Sequence, residues 1–535
     1  MNGYLIALII VSAWIAAVYY LNKVKWFQRY DMSLMGPMVM WRTRKGREAI
    51  DRVASNRRIW SLYGKLSLWI CAGAMMTIML LLIWEATIVP QIEKAPSPEL
   101  ILGIPGINPV IPLWYGILGL VVAIVVHELA HGIMTRLGDM KLVSLGLLFF
   151  VFPVGAFVEP DEGELQRTTR SKRAKVFAAG PASNLILAML VLALFSGVMM
   201  ASAEPVHDGA LATGIVEGSP AYYANISQTS VIVSVGGYAI ASPDDVDELT
   251  GIEPGELVTV DYYFSGELET AEGVAYGLVI SYAVEDYAAH DGELKAGMVL
   301  ASLDGTTVRN MDDLRDAMDG TSAGQTVNVT VLSYNVSAGG FAADEDITSL
   351  TLSDKYDFYA EYYPDENEES FRNDGYLGAG FLPLGLNMRS ADYYSTMLAN
   401  PFQGDDTLDE FSRSWLTLIA LPFLELAPVQ SPVTDLYEPS GSLAWMPDGV
   451  FWVVANSLYW IFWLNLMIGL TNVLPAVPLD GGYLFRDMFD YIVSKVRPGH
   501  TKEQREKVVG SITMAFALGV LFLILWQLVG PSIFN

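Results

Sequence analysis

Six apolar runs set the terms on which this chain can fold: approximately Leu5–Leu21, Ser67–Ile88, Ile111–Leu137, Val176–Met200, Phe451–Leu474 and Ile512–Val529. Runs of this length cross a hydrocarbon layer of about 30 Å as helices. A backbone in lipid has to satisfy its own hydrogen bonds, and a helix does so within one segment. The mean hydropathy of +0.35 and the 52% hydrophobic content agree with several such spans. The expected fold class is therefore a polytopic α-helical membrane protein with about six spans.

Charge then orients the spans. The first run lacks a basic region before it and a small-residue cleavage site, so it reads as an anchor and not as a removed signal peptide. Three loops are basic: Lys23–Lys65, with Arg42, Arg44, Lys45, Arg47, Arg57 and Arg58; Arg167–Lys175; and the segment around Lys495–Lys507. Basic loops stay cytoplasmic. All three alternate correctly with six spans, which puts the N-terminus, the residues after the fourth span and the C-terminus outside a cell or plasma membrane.

The net charge of −27 is concentrated. About 40 of the 59 acidic residues lie between Ala201 and Val450, where the only bases are Lys295, Arg309, Arg315, Lys355, Arg372, Arg389 and Arg413. So acidic a block argues against nucleic acid as a partner. The single cysteine, Cys71, excludes an intramolecular disulfide and, inside an apolar run, reads as a small buried hydrophobe.

The acidic block holds an internal repeat. Val233-Ser-Val-Gly-Gly237-Tyr-Ala-Ile240, followed by Ser242-Pro-Asp-Asp245-Val246, parallels Ala301-Ser-Leu-Asp-Gly305-Thr-Thr-Val308, followed by Asn310-Met-Asp-Asp313-Leu314. Each copy predicts a strand, a turn at glycine, a short strand, an Asp-capped helix and a β-branched strand, Leu257–Tyr263 or Thr326–Leu332. With Gly214-Ile-Val-Glu-Gly-Ser-Pro-Ala221 upstream, the pattern resembles tandem PDZ domains of the kind attached to bacterial proteases. That resemblance implies modules that accept a peptide or protein C-terminus as an added strand.

The domain expectation is 1–110 for two N-terminal spans, 111–200 for a core, 201–270 and 271–340 for two PDZ-like modules, 341–450 for an acidic aromatic connector, and 451–535 for the remaining core. In the connector, Trp415–Leu426 is apolar but too short to span, and fits an interfacial or re-entrant helix or a segment buried on the modules. Asn225, Asn328 and Asn335 head glycosylation sequons on the outer side.

The chemistry sits in the third run, which reads VVAIVVHELAHGIM over Val121–Met134. On a helix His127 and His131 share a face and can reach one metal, with Glu128 beside them where a general base would act on metal-bound water. Ionisable groups at membrane depth mark function. A catalytic zinc needs a third protein ligand. His207, His290 and His500 lie in polar loops, so a carboxylate from another span is the better candidate. Asn472-Val-Leu-Pro475-Ala-Val-Pro478-Leu-Asp480-Gly481-Gly482 closes the fifth span, breaks its helix and supplies Asp480.

His127-Glu128-Leu-Ala-His131, Gly180-Pro181-Ala-Ser-Asn184 and Asn472-x-x-Pro475-x-x-Pro478-Leu-Asp480-Gly481 together resemble the site-2 proteases, zinc metalloproteases that cut within the membrane. Gly155-Ala-Phe-Val-Glu-Pro-Asp161 looks like that family's archaeal branch. The resemblance implies one Zn²⁺ per chain held by His127, His131 and Asp480, with Glu128 activating water. Asn184 and Asn472 fall where the family's helper asparagines sit, near the substrate or a developing oxyanion; for Asn184 an interhelical hydrogen bond is the other reading. Lys141–Val158 fits the family's membrane-dipping β-hairpin, whose edge pairs with an unwound substrate. The implied substrates are single-span membrane proteins in the lipid bilayer. The alternative class is a membrane scaffold or transporter that retains the fold.

Overall fold

The apolar runs fold as helices, and polar caps mark where they begin. In the computed structural model, helices occupy Gly3–Lys23, Arg57–Ile88, Leu113–Leu137, Arg170–Leu194, Asp448–Asn472 and Lys502–Val529. Asn56 accepts the Ile59 amide, Thr169 accepts that of Lys172, and Thr501 with Gln504 forms a reciprocal cap. The structure describes residues 3–534 except 31, 44–45, 93–94, 102, 336, 338, 344–348, 367, 404–406 and 425; the side chains of 3–8, 10, 35, 101, 152–154, 365, 408–409 and 534 also lie outside the description. Among the described residues five helices are long and apolar enough to cross a membrane. The expected first span, Leu5–Leu21, coincides with the helix Gly3–Lys23, but part of it falls outside the described side chains.

Two units form. The first comprises Met1–Val198, Gly404–Pro428 and Val453–Asn535; the second comprises Met199–Gln403 and Val429–Trp452.

Within the first unit, a four-stranded antiparallel sheet runs β1 (Met32–Met35), β2 (Met38–Thr43), β3 (Leu142–Phe150), β4 (Phe152–Pro160) in spatial order. β3 and β4 are the hairpin expected at Lys141–Val158. The N-terminal hairpin β1–β2 was not expected. It pairs β2 with β3 in the register Val39↔Phe149 and Trp41↔Leu147. An isolated two-stranded hairpin is marginal, so the added strands stiffen β3–β4. The first helix braces them, with Trp14 Nε1 donating to Pro37 O at 2.9 Å and Val18 packing with Phe27 and Val39.

The second unit carries the repeat in two sheets. Strand β5 (Ala203–Pro205) pairs with a late strand, Tyr437–Pro439. The first copy has β6 (Ala210–Ile215), β7 (Val231–Val235), β8 (Tyr238–Ala239), helix Pro243–Asp247, β9 (Leu257–Phe264) and β10 (Glu267–Ala275). The second has β11 (Leu278–Ala283), β12 (Val299–Leu303), β13 (Thr306–Thr307), helix Met311–Met318, β14 (Thr326–Asn335), β15 (Gly340–Ala343) and β16 (Ser349–Thr351). β17 (Ser353–Asp354) and β18 (Gly375–Tyr376) form a small pair. Each large sheet takes its outermost strand from beyond residue 340: β19 (Ala379–Pro383) lies on β11, and β20 (Leu386–Ser390) lies on β6. Only Leu384 and Gly385 separate these strands, both in the left-handed region with φ of 56° and 77°. The first sheet is therefore completed only after the whole of the second, which is nested inside it. Separate cores fill the two, around Ile232, Val260 and Tyr276 and around Ile280, Leu300 and Val329.

Candidate metal centre

Three helices of the first unit bring the motif together. The helix Leu113–Leu137 presents His127 and His131 one turn apart on one face, and both are buried. Asp480 opens the helix Asp480–Val496, directly after the turn that follows the helix Asp448–Asn472. Its Oδ2 lies 3.0 Å from His127 Nε2 and 3.2 Å from His131 Nε2, and the two Nε2 atoms are 3.0 Å apart. A tetrahedral zinc with bonds of about 2.0–2.1 Å would hold its ligand atoms roughly 3.3 Å from one another. These three atoms are close to one face of such a tetrahedron. Among the described residues this is the one such group of three.

The tautomers fit the same task. His131 Nδ1 is 2.7 Å from the Val176 carbonyl, which can only accept, so the proton sits on Nδ1 and Nε2 keeps its lone pair for a metal. His127 Nδ1 faces Asn184 Nδ2 at 3.4 Å, while Asn184 Oδ1 is buried without a partner. Turning the amide by half a rotation exchanges two atoms of nearly equal size. Oδ1 then accepts from His127 Nδ1–H. A polar atom left without a partner in this position fits a neutral imidazole that ligates through Nε2.

The helix Arg170–Leu194 supplies the back wall, and Gly180 is where it touches. A Cβ at this position would stand 2.5 Å from His127 Nε2 and closer still to His131 Nε2. The Gly180-Pro181 pair was read as part of a motif with no assigned role; its role is to leave room for the imidazoles. Pro181 sits inside this continuous helix. Nearby carbonyls gain donors from the helix Arg57–Ile88: Cys71 Sγ to Ala178 O at 3.3 Å and Tyr63 Oη to Ala179 O at 2.6 Å. Cys71 is 1% exposed, a packed core residue.

Glu128 is half-buried, and its Oε2 accepts the backbone N–H of Val158 in β4 at 2.8 Å. That bond ties the outermost strand of the four-stranded sheet to the helix carrying both histidines. Asn472 lies elsewhere in its interactions: its amide donates to Ile468 O, one turn back in its own helix, at 3.0 Å. The turn Val473–Leu479 closes on its own backbone, with Val473 N to Gly469 O, Ala476 N to Leu474 O and Gly482 N to Leu479 O. It is so tight that a Cβ on Gly481 would collide with the Val473 carbonyl.

Residues 115–520 match peptidase family M50. Over 158 residues the chain is 31% identical to an uncharacterized protein of Methanocaldococcus jannaschii, covering 29% of this chain and 42% of that one. It is 32% identical over 117 residues to the zinc metalloprotease RasP of Shouchella clausii, covering 21% and 26%. It is 25% identical over 177 residues to a membrane-bound transcription factor site-2 protease homolog of Arabidopsis thaliana, covering 32% and 34%. The aligned stretches thus span less than half of each of these relatives.

Proposed function

The chain belongs to peptidase family M50, the site-2 protease family, and from that premise we propose that it is a zinc-dependent endopeptidase acting on membrane-spanning helices of single-span proteins. One observation carries the reading: Asp480, from a helix 349 residues further along the chain, meets both histidine Nε2 atoms within 3.2 Å. The five long apolar helices among the described residues agree with an integral membrane protein.

In this reading His127, His131 and Asp480 hold the metal. The zinc, when bound, polarises a water and the scissile carbonyl. Glu128 takes the proton from that water as its oxygen attacks, and passes it to the amine released when the C–N bond breaks. To receive the proton, the carboxylate turns from the Val158 amide toward the metal. Asn184 orients His127 by accepting from Nδ1. Asn472 lends its amide to the developing oxyanion only after leaving the Ile468 carbonyl.

A helical substrate hides its carbonyls in i to i−4 bonds, so local unwinding precedes attack. The outer edge of β4 is the last strand of its sheet, and it offers the freed segment backbone partners beside the motif helix. The basic loops favour an active site toward the cytoplasm, with the acidic modules outside. Those modules resemble PDZ domains, and serve either to exclude bulky ectodomains or to bind a newly exposed end. Because β19 closes the second sheet from outside this range, removing Gly214–Tyr334 would strand β19 without its partner β11. Point changes in either module are the cleaner way to separate the two roles.

The test is to purify the wild type and Glu128→Gln in detergent without chelators, measure zinc per chain, and challenge both with single-span helices. Zinc in both, with cleavage by the wild type alone, is the expected result. Wild type without zinc would sink the reading and leave a scaffold or transporter.

A further inference from the structure

A helix that ends away from water has to find partners for its last carbonyls. The helix Leu408–Ala420 ends with such partners in place. Tyr459 Oη donates to Leu418 O at 2.8 Å and Trp463 Nε1 donates to Ile419 O at 2.9 Å. The turn that follows supplies Phe423 N and Leu424 N to Ala420 O, and Leu426 N to Leu421 O. Tyr459 and Trp463 stand four residues apart on the fifth-span helix, so they share a face, and both are buried.

The depth of those donors is fixed by the helix that carries them. Asp448 is its last charge before Tyr459. From Gly449 to Tyr459 the helix rises about 15 Å, which is half of a hydrocarbon layer about 30 Å thick. Trp463 is one turn deeper. The tip of the shorter helix therefore reaches about the middle of the bilayer.

Length and composition agree. Thirteen residues descend about 20 Å as a helix. Gln403 before the helix and Val429 after the turn both belong to the second unit. Ser414–Leu424 contains no charge; Asp409 and Glu410 lie in the first turn of the helix, Arg413 near its middle, and Glu425 directly follows Leu424. Leu416, Phe423 and Leu424 are 37%, 53% and 55% exposed, an arrangement that is costly in water and ordinary against acyl chains.

We propose that the helix Leu408–Ala420 and the turn that carries it to Leu424 form a re-entrant segment in one leaflet. Its Leu416, Phe423 and Leu424 face lipid acyl chains, and Tyr459 and Trp463 are the donors that let its helix stop at mid-depth. Nothing in this inference rests on proteolysis.

The test uses the full chain with Cys71→Ala, carrying one nitroxide at Leu416→Cys or Phe423→Cys, in phosphatidylcholine vesicles. Leu521→Cys on the exposed face of the sixth-span helix is the lipid control, and Leu268→Cys on β10 is the water control. Collisions with oxygen are expected to exceed those with a water-soluble nickel complex at 416 and 423, as at 521 and opposite to 268. Nickel collisions in excess at both positions would make this a surface helix and overturn the proposal. Low collisions with both reagents would mean that protein covers the face, a second copy included, and would overturn it equally. Adding Tyr459→Phe and Trp463→Phe should raise the nickel collisions at 423 severalfold; an unchanged ratio would overturn the role given to the two donors.

Discussion

Two helices of the first unit stop inside apolar surroundings, and they stop by opposite means. The helix ending at Asn472 is closed by its own backbone, through a turn that needs glycine at 481 and delivers a carboxylate to two imidazoles. The helix ending at Ala420 is closed by side-chain donors from Tyr459 and Trp463, about 40 residues away, and delivers nothing charged. Both ends solve the same problem of carbonyls without water. Only the first is shaped around a chemical group. Substitutions at the first should therefore remove metal and leave the fold; substitutions at the second should loosen the fold and leave the metal.

The largest separation is expected at Asp480→Ala. Asp480 is one of the three proposed ligands, and without it zinc should fall to near none per chain by elemental analysis, with hydrolysis falling alongside. The melting temperature of the zinc-free protein should match that of zinc-free wild type, because a lone carboxylate against two imidazoles contributes little once the metal is absent. A large drop in the zinc-free form would mean that Asp480 holds the fold, and the contrast between the two helix ends would collapse.

Gly180→Ala comes next and has a sign that distinguishes packing from chemistry. In an open helix interior this change stabilises by up to about 1 kcal/mol. Here the new Cβ enters the space of both Nε2 atoms, and overpacking costs about 1–3 kcal/mol. Zinc affinity should fall roughly tenfold or more in a chelator competition, while the zinc-free protein tolerates the change by turning the imidazoles. Equal affinity would mean that the helix backs away freely and that Gly180 is not a wall of the site.

Asn184→Leu should weaken zinc by about 10–100-fold, the usual effect of losing the outer partner of a histidine ligand. Asn184→Asp keeps an acceptor for His127 Nδ1 and should retain most of the affinity. If instead zinc binding is unchanged and only turnover at saturating zinc falls, Asn184 acts on the oxyanion and its contact with His127 is incidental.

The difference between the two helix ends also governs what could be read from the sequence. Pro475, Pro478, Gly481 and Gly482 punctuate the first end locally, so the break and its Asp480 were legible, as were His127, Glu128 and His131 at helical spacing. The repeat in the second unit was legible because each turn and cap lies within a few residues of its strand. Long-range pairing was not. Nothing near Leu418 names Tyr459 as its donor, and nothing near Leu386 names β6 as its neighbour. The N-terminal hairpin had a local signal in Met35-Gly-Pro-Met38, but its attachment to β3 across some 100 residues left no trace that a single sequence exposes. Gly180 stands in the sequence only as part of a motif, because the imidazoles it accommodates lie about 50 residues away.

The smallest effect is predicted at Trp463→Phe, where it is also the most discriminating. The ring volume is largely kept, one donor is lost, and Ile419 O is left without a partner. An unsatisfied buried carbonyl costs about 1–3 kcal/mol, so thermal unfolding in detergent should shift down by a few degrees. Zinc affinity and turnover per folded enzyme should not move, and chelation should lower the stability of variant and wild type by the same amount. A chelator effect that disappears in the variant would couple this helix end to the metal, and the two ends would then have to be treated as parts of one site.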